Sequence, residues 1–191
     1  MNILFFDTET TGVPRNYKAP ITDVENWPRL VQLGFIFHYD DGIISKNEFI
    51  IKPTNFVISE LVSRIHGITL EKSLSDGYAL DDILNYFETI LLESADLLVG
   101  HNLSYDINVL GAEFFRKSGR NPLEGKQTYD TMLKSTNLCK LPGGRIGYKW
   151  PKLHELYFHL FQQSLAQSHT ALDDIENTAK CYFELVRLGI T

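Results

Sequence analysis

Cysteine is scarce: the 191 residues include two, Cys139 and Cys181, far apart and without metal-ligand spacing. That excludes a disulfide framework and a thiolate metal centre, and points to reduced thiols in a cytoplasmic protein. Long apolar runs are also missing. The N-terminus is apolar only from Ile3 to Phe6 before Asp7 and Glu9 interrupt it. That is too short for a signal peptide, and no later run is long enough for a membrane span, so no membrane association is expected. Basic residues are not in excess either. The formal net charge is −6 and the pI about 5.5, which argues against a broad basic surface for holding polyanions. Internal repeats and low-complexity segments are absent. With 43% hydrophobic residues, residues 1–191 are expected to form a single domain with a full core.

What is present reads as a hairpin followed by strand–helix units. Ile3-Leu4-Phe5-Phe6 suits a strand buried on both faces. Leu30 to Tyr39 and Ile43 to Ile51 are strand-like, joined by an Asp40-Asp41-Gly42 hairpin turn. A helix over about Asp81 to Glu93 leads into a short strand, Leu97 to Val99. Another helix follows Gly100-His101-Asn102, with Leu103, Ile107, Leu110 and Phe114 on one face. A short strand near Thr128-Tyr129 precedes helices at Leu153 to Phe161 and Ala171 to Val186. The pattern implies an α/β fold: a mixed sheet with helices packed on it.

Three groups of acids stand out against this background. Asp7 and Glu9 end the first strand, and residues two apart on a strand share a face, so both carboxylates aim at one spot. Two like charges so close raise each other's pKa unless a cation lies between them. Asp106, one turn ahead of Leu110 and two ahead of Phe114, falls on the core-facing side of its helix. Near the C-terminus, Thr170-x-x-Asp173 matches a capping box with Thr170 as N-cap. That gives Asp173 a local structural task and leaves Asp174 without one, at the border of the apolar stripe Leu172, Ile175, Ala179, Tyr182 and Val186. His169 sits in the loop just before the helix. Each acid alone has an ordinary explanation as a solvated strand end or a first-turn helix acid.

Their order and spacing together do not. Phe-Asp-Thr-Glu-Thr-Thr-Gly, His-Asn-x-x-x-Asp and His-x4-Asp resemble the three motifs of the DEDDh family of 3′–5′ exonucleases, from Asp7 to Asp174. His66-Gly67-Ile68 is similar to an element that family carries between its first two motifs. Residue 170 is threonine, which excludes the sister subfamily with Tyr-x3-Asp in the third motif. The resemblance implies a ribonuclease H-like mixed sheet with helices on both faces. It implies that Asp7, Glu9, Asp106 and Asp174 are metal carboxylates for two divalent cations, Mg²⁺ or Mn²⁺. Four acids then account for much of the negative balance, and two such cations offset it.

The same resemblance makes His169 the general base, a role that an imidazole with pKa near 6.5 fills at neutral pH. Thr8, Thr10 and Gly12 are expected to bind the 3′-terminal nucleotide, and His66 either to contact the same nucleotide or to brace its loop. The expected substrate is a single-stranded nucleic-acid 3′ end, DNA in the first instance, released as nucleoside 5′-monophosphates. Trimming of RNA or of short oligoribonucleotides is the alternative, and an inactive binding module of the same fold is the alternative of a different class. Such a module should lack at least one metal carboxylate, and none is missing. DNA repair and proofreading, with a DNA polymerase as partner, also fall within the family's range. With no polymerase-binding tail recognisable after the third motif, a stand-alone enzyme is the first expectation. Outside the motifs, Lys140 to Lys152 carries four basic residues, two aromatics and no acids. That composition suits either a single strand or a basic surface loop with Trp150 tucked into the core.

Overall fold

Alternation along the first strand organises the molecule. The structure, a computed structural model, describes residues 1–39, 42, 44–143, 147–165 and 171–191. Strand β1 (Ile3–Thr10) is the middle of a five-stranded sheet with β2 (Leu30–His38), β3 (Ile44–Ile50), β4 (Leu97–Gly100) and β5 (Thr128–Asp130), in the order β3-β2-β1-β4-β5. β1, β2 and β3 pair antiparallel, and β4 and β5 join parallel to β1. Among the described residues seven α-helices accompany them: α1 (Glu60–His66), α2 (Leu70–Asp76), α3 (Leu80–Tyr86), α4 (Leu103–Ser118), α5 (Thr131–Cys139), α6 (Leu153–Phe161) and α7 (Ala171–Arg187).

Because side chains alternate along a strand, β1 feeds two cores. Leu4 and Phe6 pack with Leu84, Phe87, Leu110 and Phe114 from the α3 and α4 side. Ile3 and Phe5 pack with Leu156, Ile175, Cys181 and Tyr182 from α6 and α7. Helices therefore cover both faces, as expected. The alternation continues past the apolar run, so Asp7 and Glu9 lie on the α7 face and Thr8 and Thr10 on the α4 face.

Several elements differ from the expectation. The helix expected over Asp81 to Glu93 begins at Leu80, and its second half, Phe87–Leu92, is π-helical. The wider turn leaves Phe87 edge-on to Phe6, ring centroids 5.5 Å apart. Helices α1, α2 and α5 are not anticipated by apolar periodicity. Side chains cap their starts instead: Ser59 accepts from Val62 N, Thr69 from Lys72 N, and Asp130 from Met132 N and Leu133 N. Of the hairpin turn, Asp40 and Asp41 lie outside the described residues, and Gly42 N donates to Tyr39 O. Cys139 and Cys181 are buried free thiols. Among the described residues no helix is long and apolar enough to cross a membrane.

Two contacts set the helices that flank β1. Glu113 of α4 is buried; its Oε1 accepts from Arg29 Nε and from Leu30 N, each at 2.9 Å, and Arg116 approaches Oε2 at 3.2 Å. This ties α4 to the start of β2 and fixes Asp106 two turns earlier. On the other face, Gly34 pairs with Asp7 across β1 and β2, and α7 packs directly over it. A Cβ there would meet Ile175 Cδ1 at 2.7 Å and Ala171 Cβ at 3.2 Å. Gly34→Ala should therefore push α7 off the sheet and cost about 1–3 kcal/mol, the scale of overpacking a tight core. Urea unfolding of both proteins measures this, and equal midpoints would show that α7 yields freely.

Candidate active site

The acids meet where the parallel strands end. β1 runs five residues beyond its last partner in β4, Phe5 to Val99, so Asp7 and Glu9 project past the layer that covers Phe5. Asp106 enters from α4, which begins just after β4. It is 3% exposed, and its Oδ1 accepts from Thr8 N at 3.0 Å and Thr8 Oγ1 at 2.6 Å. Asp174 enters from the first turn of α7 on the opposite face. Burial first, then the charges of Asp106, Glu9 and Asp174, push the Asp7 carboxyl well above the usual carboxylate range. Burial and Asp174 push Glu9 up to about 7. Asp106 is also pushed up to about 7, by burial, although the Thr8 hydrogen bonds act against that rise.

Asp173 and Asp174 part company here. Asp174 acts electrostatically on Asp7 and Glu9, whereas Asp173 acts on Lys46 of β3. The spacing within one helical turn aims neighbouring acids in different directions. Thr170, the expected N-cap, lies outside the described residues, and so does His169, the expected general base.

The turn into α4 is held from β5 and the loop before α6. Asn102 is left-handed (φ 66°, ψ 38°), a conformation asparagine tolerates better than most residues, and its N–H donates to Asp130 Oδ1 at 3.0 Å. His101 lies between Thr131 Oγ1 at its Nδ1 and Pro151 O at its Nε2, each 3.0 Å away. Burial lowers its pKa, and a carbonyl can only accept. The neutral ring therefore carries its proton on Nε2 and donates it to Pro151 O, with Nδ1 facing Thr131 Oγ1, whose own proton goes to Gly100 O. The motif histidine is thus a strap on the loop before α6.

Beside Glu9 a cavity of about 310 Å³ is lined by Thr8, Glu9, Thr10, Gly12, His66 and Tyr105 among others. All four expected nucleotide-binding residues are brought together there. Tyr105 Oη donates to Gly12 O at 2.8 Å and lies 2.6 Å from Thr10 Oγ1, fixing the backbone after β1. His66 Nδ1 accepts from Ile68 N at 3.0 Å, which places the proton of the neutral ring on Nε2. That N–H is buried and has no partner among the described residues. Tyr105 and Asp130 were not anticipated from the sequence. Asp130-Thr131 after a short strand is a readable N-cap signal, but Tyr105 looked like any amphipathic helix residue.

A family model described as "Exonuclease" (RNase_T) matches residues 4–182. The chain belongs to the exonuclease family. The family expected from the motifs is thereby borne out. No curated protein matches the sequence. Among solved structures, this exonuclease is similar to E. coli exonuclease I in complex with a dA16 oligonucleotide. Identity is 16% and the TM-score 0.70 over 97% of this chain and 41% of that one. The zinc-ion-bound form of the E. coli exonuclease I–ssDNA complex is likewise similar, at 18% identity and a TM-score of 0.70, over 98% and 40%. The chain thus spans about two fifths of the length of these structures, and the likeness bears out the ribonuclease H-like fold.

Raised carboxyl pKa values have a consequence for stability. Between the usual value near 4 and about 7, Glu9 and Asp106 bind more protons in the native than in the unfolded state. Their contribution is present below this window and is lost as pH rises through it. In EDTA, unfolding free energy from these groups should fall between about pH 4 and pH 7. Asp106→Asn, which keeps an oxygen for Thr8, should flatten part of that slope. Denaturant titrations across the pH range test this, and an unchanged slope would mean that Asp106 is ionised throughout.

Proposed function

We propose that this exonuclease removes nucleotides one at a time from the 3′ end of single-stranded DNA, by metal-assisted phosphodiester hydrolysis. The observation that carries the reading is the meeting of Asp7, Glu9, Asp106 and Asp174 in mutual electrostatic reach, beside a cavity walled by Glu9 and the loop after β1. The fold shared with structures that hold a dA16 oligonucleotide supports DNA as the substrate.

The donor set fits small hard cations: all four groups are carboxylates, and a divalent ion offsets the repulsion that adds to the rise of Asp7 and Glu9. Among the described residues no three His, Cys, Asp or Glu side chains are gathered closely enough to enclose an ion, in keeping with acids that repel across a low-dielectric gap. Asp7, Glu9, Asp106 and Asp174 would hold the ions through their carboxylate oxygens. Mg²⁺ or Mn²⁺, when bound, stabilises charge on the attacking and leaving oxygens of an in-line displacement. Thr8 orients Asp106 through both its N–H and its hydroxyl. His66 Nε2–H, buried without a partner among the described residues, supports a donor role toward an oxygen of the terminal nucleotide, and Thr10 and Gly12, braced by Tyr105, would form its floor. His169 takes the proton from the attacking water.

The test uses 5′-labelled linear single strands of DNA and of RNA, and a circular DNA strand. Mg²⁺ or Mn²⁺ should give a descending ladder on linear DNA, EDTA should abolish it, and the circle should persist. Cleavage of the circle, or full activity in EDTA, refutes the proposal, and a faster ladder on RNA moves the substrate to RNA. His169→Ala should lower kcat by roughly 10²–10⁴-fold, the usual share of a positioned general base.

The neighbouring acids provide an internal check. Asp174→Asn should abolish hydrolysis. Asp173→Asn should cost at most about 1 kcal/mol, the scale of a helix-cap interaction, with activity retained. Rates and thermal unfolding of both variants decide it, and the reverse pattern would overturn the assignment of Asp174.

A further inference from the structure

A second and larger cavity opens next to the first. It measures about 750 Å³ and is lined by Tyr17, Tyr105, Trp150, Lys149 and Lys152, with Asn102 and Ser104 at the start of α4. Tyr17, Asn102 and Tyr105 line both cavities, so the two are neighbours with shared walls. Tyr17 stands 6.4 Å from Tyr105, ring centroid to centroid.

The exposure of its aromatic walls is unusual for their type. Trp150 is 61% exposed and Tyr17 60%, whereas Trp27, which lines the same cavity, is buried. An exposed tryptophan beside an exposed tyrosine costs solvation free energy unless a ligand covers it. Trp150 is also held in place. Pro151 O, the next carbonyl along, receives the His101 Nε2–H, and Lys149 N donates to Leu141 O at 2.9 Å. Lys149 Nζ is 2.6 Å from Glu155 Oε1, which steadies the same stretch, and Lys152 is left exposed. The N-terminus of the 16-residue α4 faces the cavity through Asn102 and Ser104, adding the positive end of a helix dipole.

We propose that this cavity is a second nucleotide subsite, in which bases upstream of the scissile 3′ nucleotide stack on Trp150 and Tyr17 while their phosphates approach Lys152 and the α4 N-terminus. It rests on the exonuclease reading of the first cavity. Aromatic planes with nearby cations fit a single strand regardless of sequence, because every base has a face to stack. A duplex offers no free face, and a dinucleotide ends before it fills the cavity. The favoured substrate is therefore a single strand several nucleotides long, in any base sequence. The sequence left two roles open for Lys140 to Lys152. Trp150 is not tucked into the core, and the end of that stretch borders the site.

Two measurements separate this inference from the reading it rests on. The first is binding in EDTA, where no hydrolysis occurs: dT8 should quench the fluorescence of exposed Trp150 more than dT2 does, and Trp150→Phe should remove most of that quenching. The second is hydrolysis with Mg²⁺. Trp150→Ala should reduce the ratio of kcat/KM for dT8 to that for dT2 by about tenfold, the effect of losing one stacked base, mostly through KM. Unchanged quenching in Trp150→Phe, or an unchanged ratio in Trp150→Ala, overturns the subsite. Quenching of the wild type by dT8 without hydrolysis under any divalent cation would uphold the subsite and overturn the exonuclease reading instead.

Discussion

Repulsion between carboxylates that the sheet will not let apart governs the rest of the design. Asp7 and Glu9 cannot separate, because both belong to β1, and β1 is locked by its pairing to β2 on one side and β4 on the other. Asp106 cannot retreat, because its oxygen is held by Thr8 and its helix is anchored by Glu113. Asp174 approaches on α7, seated on Gly34 without a side chain between them. In water such groups would stay ionised and apart. At the end of a buried strand, burial is the largest cause that raises three of them, and neighbouring acids raise Asp7 and Glu9 further. The hydrophobic cores on the two faces of the sheet provide the stability against which this strain is held. Such a local conflict with the stability rules is what a functional site looks like in an otherwise consistent fold.

How legible this was in the sequence depends on which physical signal carried each part. β1 writes its burial as an unbroken apolar run, α4 and α7 as apolar stripes of period about 3.6, and with α6 they are readable to within a residue or two. The Asp7/Glu9 pair and Asp106 were readable for the same reason: each is an acid at a position the pattern assigns to the interior. Helix α5 was not, because two of its four buried residues, Thr131 and Ser135, are hydroxyls beside Met132 and Cys139. Ser135 Oγ satisfies itself on Thr131 O, and Thr136 Oγ1 on Met132 O. Such back-bonding hides a helix from apolar periodicity. Helices α1 and α2 are too short to display a period and are marked by caps instead. The π-helical turn at Phe87–Leu92 is a tertiary effect, since nothing local distinguishes it from the α-helix expected there.

The site residues divide along the same line. Motif spacing names acids, but it does not reveal that His101 points away from them. That follows only once Pro151 O and Thr131 Oγ1 are seen on either side of the ring. Asp130 is similar: as an N-cap it is ordinary, yet the same Oδ1 also accepts from Asn102 N and so fixes the left-handed residue that starts α4. Its charge in turn adds to the upward push on Asp106. One carboxylate therefore closes two turns and biases a third group, a coupling across 24 residues that no local pattern records.

An acidic chain that engages a polyanion must confine its attraction to small regions. With a net charge of −6, long-range attraction to the phosphate backbone is weak and counterion release contributes little. What remains are short-range terms: cations held by the four acids, a buried imidazole N–H at His66, the α4 N-terminus, Lys152, and the aromatic planes of Tyr17 and Trp150. These act on a strand whose end and bases are free, and they offer little to the outside of a duplex, where only phosphates are presented. The same negative balance that excludes a broad nucleic-acid-binding surface thus favours a free single-stranded end. Burial of the acids, which made their charge costly, is also what keeps the attraction local.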